Sequence, residues 1–197
     1  KKYSDITDYF HREKQEVVWV ETEDSDTAME NFMGRNFGSC CGKSRPTLYF
    51  RNDSEQLRPL YGNARFSASE LQELIRQLDD GSDTFRMTGG VHSAALADNE
   101  RILIKYEDIG RHNALDRVLG HTIINGIATE DKAVLLSGRI SSEMLIKAAR
   151  IGTPVIVSRS APTGLAIDLA EELNITTVGF VRGNSMNVYS HPERIVR

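Results

Sequence analysis

The sequence has two cysteines in 197 residues, and they are neighbours, Cys40 and Cys41. Two adjacent thiols do not make a disulfide framework, so a reducing cytoplasm is the expected compartment. Long apolar runs are also missing: none approaches the roughly 20 residues that cross a bilayer, and no signal-peptide pattern is present. Nor is there a surplus of positive charge. Lys and Arg number 24 against 28 Asp and Glu, a net charge of -4. That balance argues against DNA or RNA as a partner and leaves room only for a local basic pocket. Neither G-x-G-x-x-G nor a Walker P-loop occurs. The chain opens on Lys1-Lys2-Tyr3 without an initiator Met, so an N-terminal part is expected to precede it. Hydrophobic residues make up 40% of the chain, enough for one ordinary core with at most a small appendage.

The most informative stretch runs from Thr88 to Gly120. Val91, Ser93, Ala95 and Ala97 alternate with His92, Ala94 and Leu96, and Ile102, Ile104 and Tyr106 alternate with Leu103 and Lys105. Two period-two runs around Asp98-Asn99-Glu100 predict a hairpin. Asp108-Ile109-Gly110 breaks the second strand, and Leu115, Val118, Leu119 and Ile123 recur at helical spacing. Arg111, His112, Asn113 and Asp116 then crowd the first turns of a helix, where unpaired N–H groups suit an anion. This cluster is either an elaborate cap or a binding site.

In front of it, Glu16 to Val20 reads as a short strand and Glu21 to Asp26 as an exposed acidic segment. Phe32 to Ser44 carries three glycines and both thiols, the pattern of a glycine-hinged loop. Ser67-Ala68-Ser69-Glu70 opens a helix with Leu71, Leu74, Ile75 and Leu78 on one face, closed by Asp79-Asp80-Gly81. Behind it the pattern is regular. Strands at 133–136, 154–157 and 176–181 alternate with helices beginning near Ser141, with Met144, Leu145, Ala148 and Ala149 inward, and near Pro162, with Leu165, Ala166, Leu169, Ala170 and Leu173 inward.

A hairpin followed by α-β-α-β-α-β predicts an α/β fold, with a mixed, largely parallel sheet covered by helices. The division expected is an N-terminal section over 1–66, with the cysteine loop, and a core over 67–197. Right-handed crossovers put strand ends and helix starts on one edge. That edge would gather Arg111-His112-Asn113, Ser137-Gly138-Arg139, Ser158-Arg159-Ser160 and Arg182-Gly183-Asn184-Ser185. Four arginines with hydroxyls and helix N-termini point to a phosphate-bearing ligand. Individually, Arg139 and Arg159 read equally well as surface arginines; the argument rests on convergence.

TGGVHSAAL, EDIGRHNALDRVLG, LLSGRISSEM, VSRSAPTGLA and GFVRGNSMNVY, in that order, resemble the formate dehydrogenase accessory sulfurtransferase family, FdhD/NarQ. The resemblance runs from Ser39 to the C-terminus and implies a cytidine-deaminase-like three-layer core. It also implies a role: persulfide sulfur is accepted from a cysteine desulfurase and passed to the bis(molybdopterin guanine dinucleotide) molybdenum cofactor. The cofactor is a bound substrate, destined for the formate dehydrogenase apoenzyme, and no metal is held by protein side chains. The resemblance further implies a cytoplasmic homodimer, an N-terminal segment ahead of Lys1, and a guanine-nucleotide contact at Phe180, Val181, Arg182, Gly183, Asn184 and Ser185. Arg111, His112, Arg139 and Arg159 would complete that site. The family spacing C-G-x-C-G is here Ser39-Cys40-Cys41-Gly42-Lys43. Either the spacing is shorter in this chain or the numbering closes over residues of the loop.

Sulfur transfer needs a thiolate, which nearby cations favour; Arg35, Lys43 and Arg45 are close in sequence to Cys40 and Cys41. Two incidental loop thiols are the bland alternative. Vicinal cysteines lack the C-x2-4-C spacing of zinc sites. Deaminases place H-x-E at the helix of His112, but Ala114 takes the glutamate's place, and Ser141-Ser142 stands where a cysteine pair is required, which argues against deamination. His112 either holds the helix start or touches ligand, His92 reads as structural, and Glu107 and Asp108 as caps or supports for Arg111. Two other functions fit the residues: a non-catalytic guanine-nucleotide or molybdopterin chaperone, and a thiol-disulfide switch.

Overall fold

The computed structural model describes residues 6–12, 17–22, 57–62 and 64–196. Cys40 and Cys41, the loop around them, Arg35, Lys43 and Arg45 lie outside the described residues. The chain divides into two compact units, Lys1–Lys43 and Ser44–Arg197. In the first, β1 (Ile6–Arg12) pairs antiparallel with β2 (Val17–Thr22). The strand expected at Glu16–Val20 is β2; its partner had no alternation to announce it.

The second unit holds a six-stranded sheet. Its first helix, α1 (Ala68–Asp80), starts as the sequence dictates. Ser67 accepts from the Glu70 backbone N–H, the Glu70 side chain accepts from the Ser67 backbone N–H, and Leu71, Leu74, Ile75 and Leu78 are buried. A short helix, α2 (Asp83–Thr88), follows and ends on Gly89 in the left-handed region. Next come β4 (His92–Ala97), β5 (Ile102–Asp108), α3 (Arg111–Ile124), β6 (Ala133–Leu136), α4 (Ser142–Arg150), β7 (Val155–Ser158), α5 (Gly164–Glu172), β8 (Thr176–Arg182) and β9 (Ser185–Ser190). A small parallel pair, β3 (Phe66–Ser67) with β10 (Ile195–Val196), ties the end of the chain to the start of α1.

The strand order is β5-β4-β6-β7-β8-β9. β6, β7 and β8 are mutually parallel, and an antiparallel hairpin stands at each edge. The hairpin β8–β9 is the element that the sequence reading ended too early. Residues 182–185 do not trail from a last strand; Arg182 pairs with Ser185 across the two-residue turn Gly183-Asn184. Gly183 sits at φ 53 in the first central position, which hairpin turns of this length reserve for glycine.

The sheet has a core on each face. Ala94, Leu96, Val134, Leu136 and Ile156 pack with α3, α4 and α5, while Ala95, Ala97, Ala133, Leu135, Val155, Val157, Val178 and Val181 pack with α1. This is a three-layer α/β/α arrangement, and it explains why β4 is buried at every position after His92 despite its period-two pattern. Two residues expected inside are outside. Leu165 is 53% exposed, because the buried stripe of α5 is Ala166, Leu169 and Ala170, and Leu165 lies about 100° round the helix from Ala166. Ile123 is 43% exposed, and Thr122 takes the inward place with its hydroxyl donating to the Val118 carbonyl at 2.8 Å.

Candidate functional site

The carboxyl ends of β6, β7 and β8 and the start of β4 meet at one edge, as antiparallel and parallel pairing together require. Ser137 continues the β4–β6 ladder: its N–H donates to the Ser93 carbonyl at 3.0 Å, and its hydroxyl accepts from the Ser93 N–H at 2.9 Å. Between this edge, the end of α1 and the inner side of α2 lies a cleft of about 250 Å³. The sheet contributes Ser93, Ser137, Arg159, Ser160 and Arg182 to its wall; Asp79, Ser82, Phe85 and Val91 close the opposite side.

Arg159 and Arg182 are brought together as expected. The Arg182 Nε–H donates to the Arg159 carbonyl at 3.3 Å, and its guanidinium carbon lies 5.8 Å from the centroid of the Phe180 ring. Phe180 itself is held at φ 53 and 39% exposed, with its N–H donating to the Ser160 carbonyl at 3.2 Å. A bulky residue in the left-handed region costs on the order of 1–3 kcal/mol. Here a register shift between Gly179 and Arg182 produces it. Gly179 has no room for a side chain: a Cβ would lie 2.8 Å from Pro162 Cδ and 3.0 Å from the Ser160 carbonyl oxygen.

The other expected residues are placed differently. Val181 is 1% exposed and belongs to the core beneath the edge. Gly183 and Asn184 form the hairpin tip, with Ser185 opening β9. Arg139 is exposed beside the edge. Arg111 lies under Gly138 with His92, and its Nε is buried without a hydrogen-bond partner. His112 turns toward α4, its Nε2 3.4 Å from Glu143 Oε2, next to the Lys147–Asp116 pair at 2.6 Å. Burial pushes the His112 pKa down, helped by Lys147 and opposed by Glu143. Burial and then Arg111 lower that of His92.

Of the three helix N-termini near the edge, two are closed by their own residues. Ser141 caps α4 by accepting from the Met144 N–H at 3.5 Å, and Thr163 caps α5 by accepting from the Ala166 N–H at 3.3 Å. At α3 the cap residue is Gly110, with no side chain to offer; Asp108 accepts from the Gly110 N–H at 2.9 Å and from Asn113 Nδ2 at 3.2 Å. None of these helix-start residues is among those that line the cleft, and the cationic side chains in its wall are Arg159 and Arg182.

Sequence reasoning missed Asp79, Ser82, Phe85 and Ser93. Burial raises the Asp79 pKa although Arg159, 2.8 Å away, works against it. Glu107 lies behind Ser93: burial pushes its pKa up, but hydrogen bonds from Ser82, Lys105 and Ser93 prevail and hold it below the usual carboxylate range. Asp79 carried one sequence signal, an acidic pair in the last turn of a helix without a basic residue there. Among the described residues, no three His, Cys, Asp or Glu side chains converge on a metal-ligating arrangement, and no helix is long and apolar enough to cross a membrane.

The family model described as FdhD/NarQ matches residues 1–196. The chain belongs to the FdhD/NarQ family. Sulfur carrier protein FdhD of Bacillus subtilis (strain 168) is 49% identical over 180 residues, covering 91% of this chain and 67% of that protein. The protein of the same name from Listeria monocytogenes serovar 1/2a is 51% identical over 162 residues, covering 82% of this chain and 62% of that one. The chain thus spans roughly two thirds of the length of these FdhD relatives. A crystal structure from Desulfotalea psychrophila, of a protein proposed to be a formate dehydrogenase accessory protein, superposes with a TM-score of 0.77 at 30% identity, covering all of this chain and 73% of the other.

Proposed function

We propose that this protein is a sulfur carrier for formate dehydrogenase maturation, with Cys40 and Cys41 as the sulfur-bearing thiols and the strand-end cleft as the seat of the receiving cofactor. The observation that carries the reading is the family match across residues 1–196; the Arg159–Arg182 pair in the cleft supports it from the physical side. One cysteine thiolate attacks the sulfane sulfur of a desulfurase persulfide, taking that sulfur and releasing the desulfurase thiolate. The second thiol can then attack the inner sulfur of the carrier persulfide, so that a Cys–Cys disulfide forms and the outer sulfur leaves as sulfide, its two electrons supplied by the two cysteine sulfurs, one from each. The acceptor is the molybdenum of the bis(guanine dinucleotide) cofactor. Its phosphates suit the guanidinium forks of Arg159 and Arg182, and its guanine suits the exposed ring of Phe180.

Mass spectrometry after incubation with a cysteine desulfurase and cysteine tests the thiols. One added sulfur atom on Cys40 or Cys41 is expected; oxidation alone would point to a thiol-disulfide switch. A second reading, a cofactor chaperone that needs no thiol, is favoured by one observation: among the described residues, those that line the cleft all fall within 79–182, a stretch without cysteine. It predicts that the Cys40→Ser, Cys41→Ser double variant still supports full dehydrogenase sulfuration.

A further inference from the structure

Asp79 is badly placed for the helix that carries it. It stands beside Asp80 in the last turn of α1, where the backbone dipole presents its negative end, and that turn has no basic residue. Asp80 is compensated along the helix by Arg76 at 2.6 Å. Asp79 turns into the cleft instead, where its Oδ2 accepts from Arg159 Nη1 at 2.8 Å and its side chain is 28% exposed. Burial disfavours its charge further, lifting its pKa above the ordinary carboxylate value. A residue that breaks the local rule at a cavity wall marks a place where function has overridden stability.

The chemistry of the wall says what that function is. Carboxylate and phosphate compete for the same guanidinium fork. A ligand phosphate that reaches Arg159 has to displace Asp79 and then lie beside the freed carboxylate. For a bare oxyanion the freed charge is simply repulsive. For a phosphate ester whose organic part carries N–H or O–H groups, the same carboxylate becomes an acceptor. We propose that Asp79 is a specificity-determining residue of the cleft: it occupies Arg159 in the ligand-free protein, rejects bare oxyanions, and admits phosphate esters that donate a hydrogen bond in its place. This rests on reading the cleft as a phosphate site and not on the sulfur chemistry.

Calorimetric titration at fixed ionic strength, with sodium pyrophosphate and GDP as the two probes, tests it. Asp79→Asn preserves size and can still accept from Arg159, but removes the charge. Pyrophosphate should bind the variant about three- to tenfold more tightly, with GDP binding unchanged or weaker, so that the preference for GDP falls. A preference that stays the same in D79N overturns the role of Asp79 while leaving the phosphate site standing. Wild-type protein and variant that both bind neither probe remove the phosphate site and this role together. The wild-type chain supplies an independent readout should the variant fail to fold. The carboxyl carbon of Asp79, followed by carbon-13 NMR, should shift as GDP saturates the cleft, and a resonance that stays in place while GDP binds overturns the displacement.

Discussion

Arg182 shows how one side chain can be tested apart from the fold that holds it. It is exposed, donates one hydrogen bond to the Arg159 carbonyl and stands over Phe180. Its loss therefore leaves the packed cores untouched. A charge-assisted contact to phosphate is worth about 1.5–3 kcal/mol, so Arg182→Ala should weaken GDP binding roughly ten- to a hundredfold with little change in Tm. Equal affinities in calorimetry would take Arg182 out of the site. The histidines make a pH prediction. His92 and His112 have folded pKa values pushed below the ordinary 6.5 by burial. The unfolded chain therefore binds more protons, and stability falls as pH drops through the ordinary imidazole range toward the lowered folded values. Asp79, with its raised pKa, tilts the other way, so the comparison that isolates the effect is wild type against His92→Gln. Urea midpoints measured from about pH 8 to about pH 5 should decline less steeply in the variant. Parallel slopes would show that His92 keeps an ordinary pKa.

At the scale of elements, the β8–β9 hairpin and the loop after β7 are locked together at Gly179. A methyl group there would press on Pro162, the Ser160 carbonyl and Tyr189, two of them on the loop that also carries Arg159. Gly179→Ala should cost about 1–3 kcal/mol of stability and weaken GDP binding as well, because relief requires the Arg159–Ser160 segment to move. A variant as stable as wild type, measured by denaturant unfolding, would show that the contact is soft. Ser67 is the simpler element-scale test: Ser67→Ala removes one half of a reciprocal cap and should cost about 1 kcal/mol, leaving ligand binding unchanged. The elements that sequence reasoning found are those with a stripe and a cap, α1 with Ser67 and Glu70 above all. It missed β9, since Ser185, Asn187 and Tyr189 lie on an edge strand with no buried period-two face. It also missed α2, whose residues are all unburied.

The candidate site was half readable for a related reason. Strand ends can be placed from the order of strands and helices, and that put Arg159 and Arg182 on one edge. Which way each side chain turns from the edge depends on long-range packing. His112 turns to Glu143 of α4, Arg111 goes under Gly138, and Val181 goes into the core. Asp79 and Phe85 come from the opposite side of the cleft; Asp79 is 80 residues from Arg159 in sequence, and no local pattern links either of them to it.

Over the whole of the second unit, alternate residues of single strands belong to opposite cores: Ala94 and Leu96 to one, Ala95 and Ala97 to the other, with Val134 and Leu135 repeating the division on β6. Neither helical layer has a sheet of its own. Releasing α1 uncovers one side of the strands on which α3, α4 and α5 rest, and bares backbone whose ladder serves both. Such a unit has no stable half. Its unfolding should be a single cooperative step, with the slowest-exchanging amides of β4, β6 and β7 opening only in the global transition and sharing one exchange free energy. Native-state hydrogen exchange reads this directly, and separate free energies for the two faces would mean that one layer can melt alone. A mutation at any of these strands is then felt on both faces at once, whichever face its side chain occupies.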